Sequence, residues 1–189
     1  MSEHARISLS SLSRVIACPA SVRLNEMVED TSSEAAEEGN RAHAALEAAV
    51  IKWIKTGAQE VRAESEEMAS AVQVAFDAIV EIYDAFPGGH RKLFTETRVD
   101  LEYFTGRKDT WGTADIIIQS NDRIHVIDYK HGQGVYVSEQ DNPQLMAYAL
   151  GAMADDVKKN RGIAPWSEVL CTITVSYTHL TLPTIRRGC

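Results

Sequence analysis

Apolar positions recur at three- and four-residue steps in two long stretches of the chain's first half and at alternate positions in the segments that follow. From Ser33 to about Lys55, Ala42, Leu46, Ala49, Val50 and Trp53 form one stripe in an Ala- and Glu-rich background, which predicts a long amphipathic helix. Glu64 to Phe86 repeats the style, with Met68, Val72, Ala75, Phe76, Ile79, Ile82, Tyr83 and Phe86 on one face, and Pro87-Gly88-Gly89 ends it. Ahead of both, Ser8, Ser10, Ser11 and Ser13 precede Val15-Ile16-Ala17-Cys18-Pro19, a pattern of two short helical turns interrupted by proline.

The period then changes. Leu93 to Val99 alternates and predicts a strand, while the β-branched runs Ile116 to Ile118 and Ile124 to Ile127 flank the turn Ser120-Asn121-Asp122-Arg123 and read as a hairpin. Beyond the loop His131-Gly132-Gln133-Gly134, Glu139 to Met153 returns to helical spacing, and Leu170 to Val175 reads as a further strand. The order α-α-β-β-β-α-β predicts a mixed α/β domain whose central mixed sheet is flanked by helices. Residues 1–175 are expected to form one domain, and 176–189 to be a non-native tail, with the natural protein continuing past Val175.

Composition narrows this little. A chain of 189 residues with 44% hydrophobic content can bury one sizeable core. No apolar run approaches the roughly eighteen residues of a membrane span, and the polar start Met1-Ser2-Glu3-His4 is no signal peptide, so a cytoplasmic protein without a membrane partner is expected. The formal net charge of -8 argues against bulk electrostatic coating of nucleic acid. Cys18, Cys171 and Cys189 are too scattered for a disulfide framework, and each reads first as a reduced thiol.

The chemistry sits at the strand ends. Gly112-Thr113-Ala114-Asp115 and Asp128-Tyr129-Lys130 set two carboxylates and a lysine on neighbouring strands, hard oxygen donors suited to magnesium or manganese. Lys130, two residues past Asp128 on an extended strand, emerges on the same face. His43 alone, on an alanine-rich helix, would be an ordinary partly exposed histidine, and Glu47, one turn on, an exposed glutamate or an orienter of that ring. Glu96 either adds a carboxylate to the site or pairs with Arg98. Trp111 reads as packing rather than as a stacking platform, and Arg91, Lys92, Arg107 and Lys108 as a solvated surface.

Asp115 followed by Asp128-Tyr129-Lys130 resembles the D…(D/E)XK signature of the PD-(D/E)XK nuclease superfamily, whose αβββαβ core order is similar to the order above. Gly39 to Glu47 resembles the G…H…E helix motif of RecB-like nucleases, and Gln144-Leu145-Met146-Ala147-Tyr148 their QxxxY motif. With Cys18-Pro19, GTAD and IDYKHGQG, the chain is similar to a RecB-like family encoded by phages and prophages.

The resemblance implies a divalent-metal-dependent deoxyribonuclease, an exonuclease in DNA recombination or processing, with DNA and a phage recombination or helicase protein as partners. It implies that His43, Asp115, Asp128 and the backbone carbonyl of Tyr129 hold Mg2+ or Mn2+, that Lys130, Asp115 and Asp128 are catalytic, and that Gln144 and Tyr148 meet substrate. Cys18 would supply one ligand of a [4Fe-4S] cluster whose other cysteines lie in the untruncated protein. The alternative is a catalytically silent nuclease-fold module that binds nucleic acid or a partner protein.

Overall fold

The computed structural model describes residues 5–28, 32–87, 90–120, 122–132, 137–159, 166–176 and 184–187. Gly88, Gly89, Asn121, Gln133, Gly134 and most of the 176–189 tail, Cys189 included, lie outside the described residues.

The two expected long helices are α3 (Glu34–Thr56) and α4 (Glu66–Ala85), after β1 (Ile7–Ser8), a 3-10 turn (Leu9–Ser11), α1 (Leu12–Ala17) and α2 (Ser21–Asn25). Both start where a serine caps them: Ser33 Oγ accepts from Ala36 N at 3.2 Å and Ser65 Oγ from Met68 N at 3.1 Å. The remaining elements are β2 (Lys92–Asp100), α5 (Glu102–Thr105), β3 (Thr110–Gln119), β4 (Arg123–His131), α6 (Pro143–Lys159), β5 (Glu168–Ser176) and β6 (Thr184–Arg187).

The strands form one mixed sheet. β2 runs antiparallel along one edge of β3; the other edge is shared by β1, parallel at Thr110 and Trp111, and β4, antiparallel from Ile116↔Ile127 to Gln119↔Ile124. β5 is parallel to β4, and β6 pairs antiparallel with β5. The strands beginning at residue 110 and ending at residue 131 are much longer than the β-branched runs that predict them, because pairing with β2 and β5 extends them.

Apolar burial divides between the two faces. One core gathers Leu46, Val50, Val72, Phe76 and Ile79 of α3 and α4 onto Ile116, Ile118, Ile127 and Tyr129; the other gathers Leu145 and Tyr148 of α6 onto Ala114, Ile117, Val126 and Ile173. Removing this much apolar surface from water is what holds helices to sheet. Two glycines permit close approach on the α6 side. A Cβ on Gly112 would stand 2.9 Å from Leu9 Cβ and 3.0 Å from Tyr148 Cε1, and one on Gly151 2.9 Å from Val99 Cβ. No helix of the described residues is long and apolar enough to cross a membrane. Cys171 is buried on the α6 side, its Sγ 3.9 Å from the Leu145 carbonyl oxygen.

Candidate metal centre

Ala114 and Ile116, two residues apart on β3, should share a face, yet Ala114 packs under α6 and Ile116 under α3 and α4. The alternation inverts between them. The paired positions pass from Thr95↔Ile116 to Thr97↔Ala114, skipping Glu96 and Asp115, and Glu96 has φ +42°, a left-handed conformation costly for a residue with a side chain. This inversion aims Glu96 and Asp115 at α3. There His43 Nδ1 lies 3.4 Å from Asp115 Oδ1 and 3.8 Å from Glu96 Oε1. One ligand atom from each of His43, Glu96 and Asp115 lies within 4.8 Å of the others, spacing that fits a single hard cation.

Asp115 and Asp128 meet because the hairpin opens. The β3–β4 ladder ends at Ile116↔Ile127, and the next N–H, that of Tyr129, donates to Asp115 Oδ2 at 2.6 Å. Tyr129 thus enters the site through its backbone, while its ring is buried beside His43 at 5.2 Å between centroids. Its hydroxyl faces the other way, 2.7 Å from Ser176 Oγ and 2.9 Å from His131 Nδ1.

Asp128 approaches from the α6 face and is only 2% exposed. Lys130 Nζ lies 2.8 Å from its Oδ2 and 3.1 Å from its Oδ1, and Gln144 Nε2 donates to Oδ1 at 2.9 Å. The same Gln144 amide donates to Tyr148 Oη at 3.2 Å, so the two α6 residues expected to share a face act as one contact. Ser10, Asn40, His43, Glu47, Glu96, Asp115, Asp128, Lys130, Gln144 and Tyr148 line one cavity of about 540 Å³.

The electrostatics follow from this crowding. Burial pushes the Asp128 carboxyl up to about 6, Lys130 opposes the rise, and the nearby Asp115 adds to it. For His43, burial disfavours the imidazolium, but hydrogen bonds and charge from Asp115 and Glu96 prevail and raise it to about 10. Burial likewise lifts Tyr148 above the usual phenol range, so its hydroxyl stays neutral. Three carboxylates and a histidine with one lysine leave room for added positive charge.

The structure thus brings His43, Asp115, Asp128, Tyr129, Lys130, Gln144 and Tyr148 together. It also assigns residues that the sequence left open. Glu96 faces His43 rather than pairing with Arg98, whose guanidinium stacks 4.0 Å from the centroid of the Trp111 ring. Glu47 lines the cavity and accepts from Thr95 Oγ1 at 3.3 Å. The left-handed backbone that aims Glu96 has no signal in the residue type. Cys18 is exposed at the end of α1 and is the free cysteine among the described residues.

A family model described as "Protein of unknown function (DUF2800)" matches residues 4–158. Among solved structures, one titled "Crystal structure of SSO0001" is similar at 14% identity and a TM-score of 0.30, over 92% of this chain and 76% of its own.

Proposed function

The chain belongs to the DUF2800 family, whose description assigns no activity, and we propose from its site that it is a divalent-metal-dependent nuclease that hydrolyses phosphodiester bonds of DNA. The observation that carries this reading is the convergence of His43, Glu96 and Asp115 within 4.8 Å in the cavity that also holds the Asp128–Lys130 pair. The order Asp115, Asp128-Tyr129-Lys130, Gln144 and Tyr148 supports the finer assignment to the RecB-like branch of the PD-(D/E)XK nucleases.

His43, Asp115, Asp128 and the Tyr129 carbonyl would hold the ion, Mg2+ or Mn2+, with Glu96 as a further oxygen donor. When bound, the ion supplies Lewis acidity toward a phosphate oxygen and water. Lys130 places a fixed positive charge beside Asp128, where charge develops on the phosphoryl oxygens. Gln144 holds Asp128 in one orientation and also meets the Tyr148 hydroxyl, whose neutrality keeps it a hydrogen-bond donor toward substrate. The acidic surface contributes little affinity for a polyanion, so a recombination or helicase partner would bring DNA to the site.

The test is cleavage of single- and double-stranded DNA by the purified chain with Mg2+, with Mn2+ and with chelator. Metal-dependent cleavage that Asp128→Ala and Lys130→Ala each abolish is the expected result. Absence of turnover with retained DNA binding would overturn it in favour of a silent binding module.

A further inference from the structure

The face of the sheet that carries the metal centre continues past it. Gly112 and Ala114 pack on the α6 side, against Leu9 and Tyr148 and in the α6 core, so Trp111, Thr113 and Asp115 point the other way. Across the ladder Arg98 is paired with Thr113, and Asp100 with Trp111. Arg98 is exposed and lies 4.0 Å over the Trp111 ring, while the Asp100 carboxylate accepts from Glu102 N at 3.0 Å. At about 3.3 Å per residue, this stacked pair lies roughly 13 Å along β3 from Asp115.

We propose that the Arg98–Trp111 pair is a nucleobase-stacking subsite that holds the single-stranded segment leading to the metal centre. The proposal rests on the nuclease reading of that centre. A protein with a net charge of -8 cannot rely on long-range attraction to hold a polyanion. Stacking on an aromatic face backed by a guanidinium is short-ranged, tolerant of sequence and insensitive to net charge. Trp111 is itself only half-buried, so the stacked pair reaches the surface beside the site. The pair is aligned with the metal centre by the same strands, so a chain of nucleotides lying along β3 would pass from one to the other without turning.

Fluorescence anisotropy of a fluorescein-labelled ten-nucleotide oligothymidylate, without metal and so without turnover, measures the subsite by itself. Trp111→Leu and Arg98→Ala are expected to weaken binding about tenfold, and Trp111→Phe, which keeps an aromatic face, to stay within about threefold of the parent. Unchanged affinity in Trp111→Leu and Arg98→Ala would overturn the subsite, as would equal loss in Trp111→Phe and Trp111→Leu. Arg98→Ala, at an exposed position, decides the matter should Trp111→Leu fail to fold. With Mn2+ and bis(p-nitrophenyl) phosphate, which has no base, the variants should hydrolyse at the parent's rate. A parent that cleaves neither DNA nor this ester defeats the nuclease reading, whereas cleavage without an effect of the variants defeats the subsite alone.

Discussion

The backbone N–H of Tyr129 donates to Asp115 Oδ2 at 2.6 Å where the β3–β4 ladder stops, so one carboxylate both closes the end of the hairpin and faces the candidate cation site. Asp115→Asn keeps an oxygen acceptor and removes the charge. Thermal unfolding should therefore shift by only a few degrees, while metal affinity measured by calorimetry falls at least tenfold.

Metal binding should release protons. At pH 7.5 the metal-free His43 is an imidazolium, being raised to about 10, and a ligand must be neutral. Titrations in buffers of different ionisation enthalpy should show about one proton released, with affinity falling about tenfold for each unit of pH lowered. Below about 6, protonation of Asp128 should weaken it further. For stability of the metal-free fold the sign runs from the same shift. The raised His43 contributes stabilisation that is complete below its ordinary value of 6.5 and is lost as pH rises toward about 10. Added Mn2+ should consequently raise the melting temperature more at pH 8.5 than at pH 6.

Glu96→Gly and Glu96→Ala remove the same carboxylate and should weaken metal binding alike. They should differ in stability. With φ +42° at this position, the glycine variant should exceed the alanine variant by about 1 kcal/mol in urea unfolding, the reverse of their order on an ordinary strand.

Gly112→Ala should destabilise the fold by about 1–3 kcal/mol, because its Cβ would stand 2.9 Å from Leu9 Cβ and 3.0 Å from Tyr148 Cε1. Relief by displacement of Tyr148 would also break its contact with Gln144, so cleavage should fall more than the loss of folded protein accounts for.

The elements were legible wherever periodicity is strong. The stripes of α3 and α4 and the β-branched ends of β3 and β4 announce themselves, whereas the serines that cap both long helices were not singled out. Less visible was anything decided by pairing. β1 and β6 are edge strands that take their form from β3 and β5, and α5 is a single turn whose Glu102 N–H donates to the Asp100 carboxylate. Among site residues, Asp115, Asp128 and Lys130 could be read from spacing, and His43, Gln144 and Tyr148 from resemblance. Glu96 could not be decided, since period-two alternation puts it opposite Thr95, and a backbone inversion puts both on the α3 side.

His43, Glu96 and Asp115 are oriented from the α3 face, and Asp128, Lys130 and Gln144 from the α6 face, so the centre is shared by two layers that each have their own core. A chain with only one layer docked would hold half of the proposed ligand set. Completion of the centre thus reports on tertiary docking: a copy that displays helices and a sheet without both layers in place would lack it.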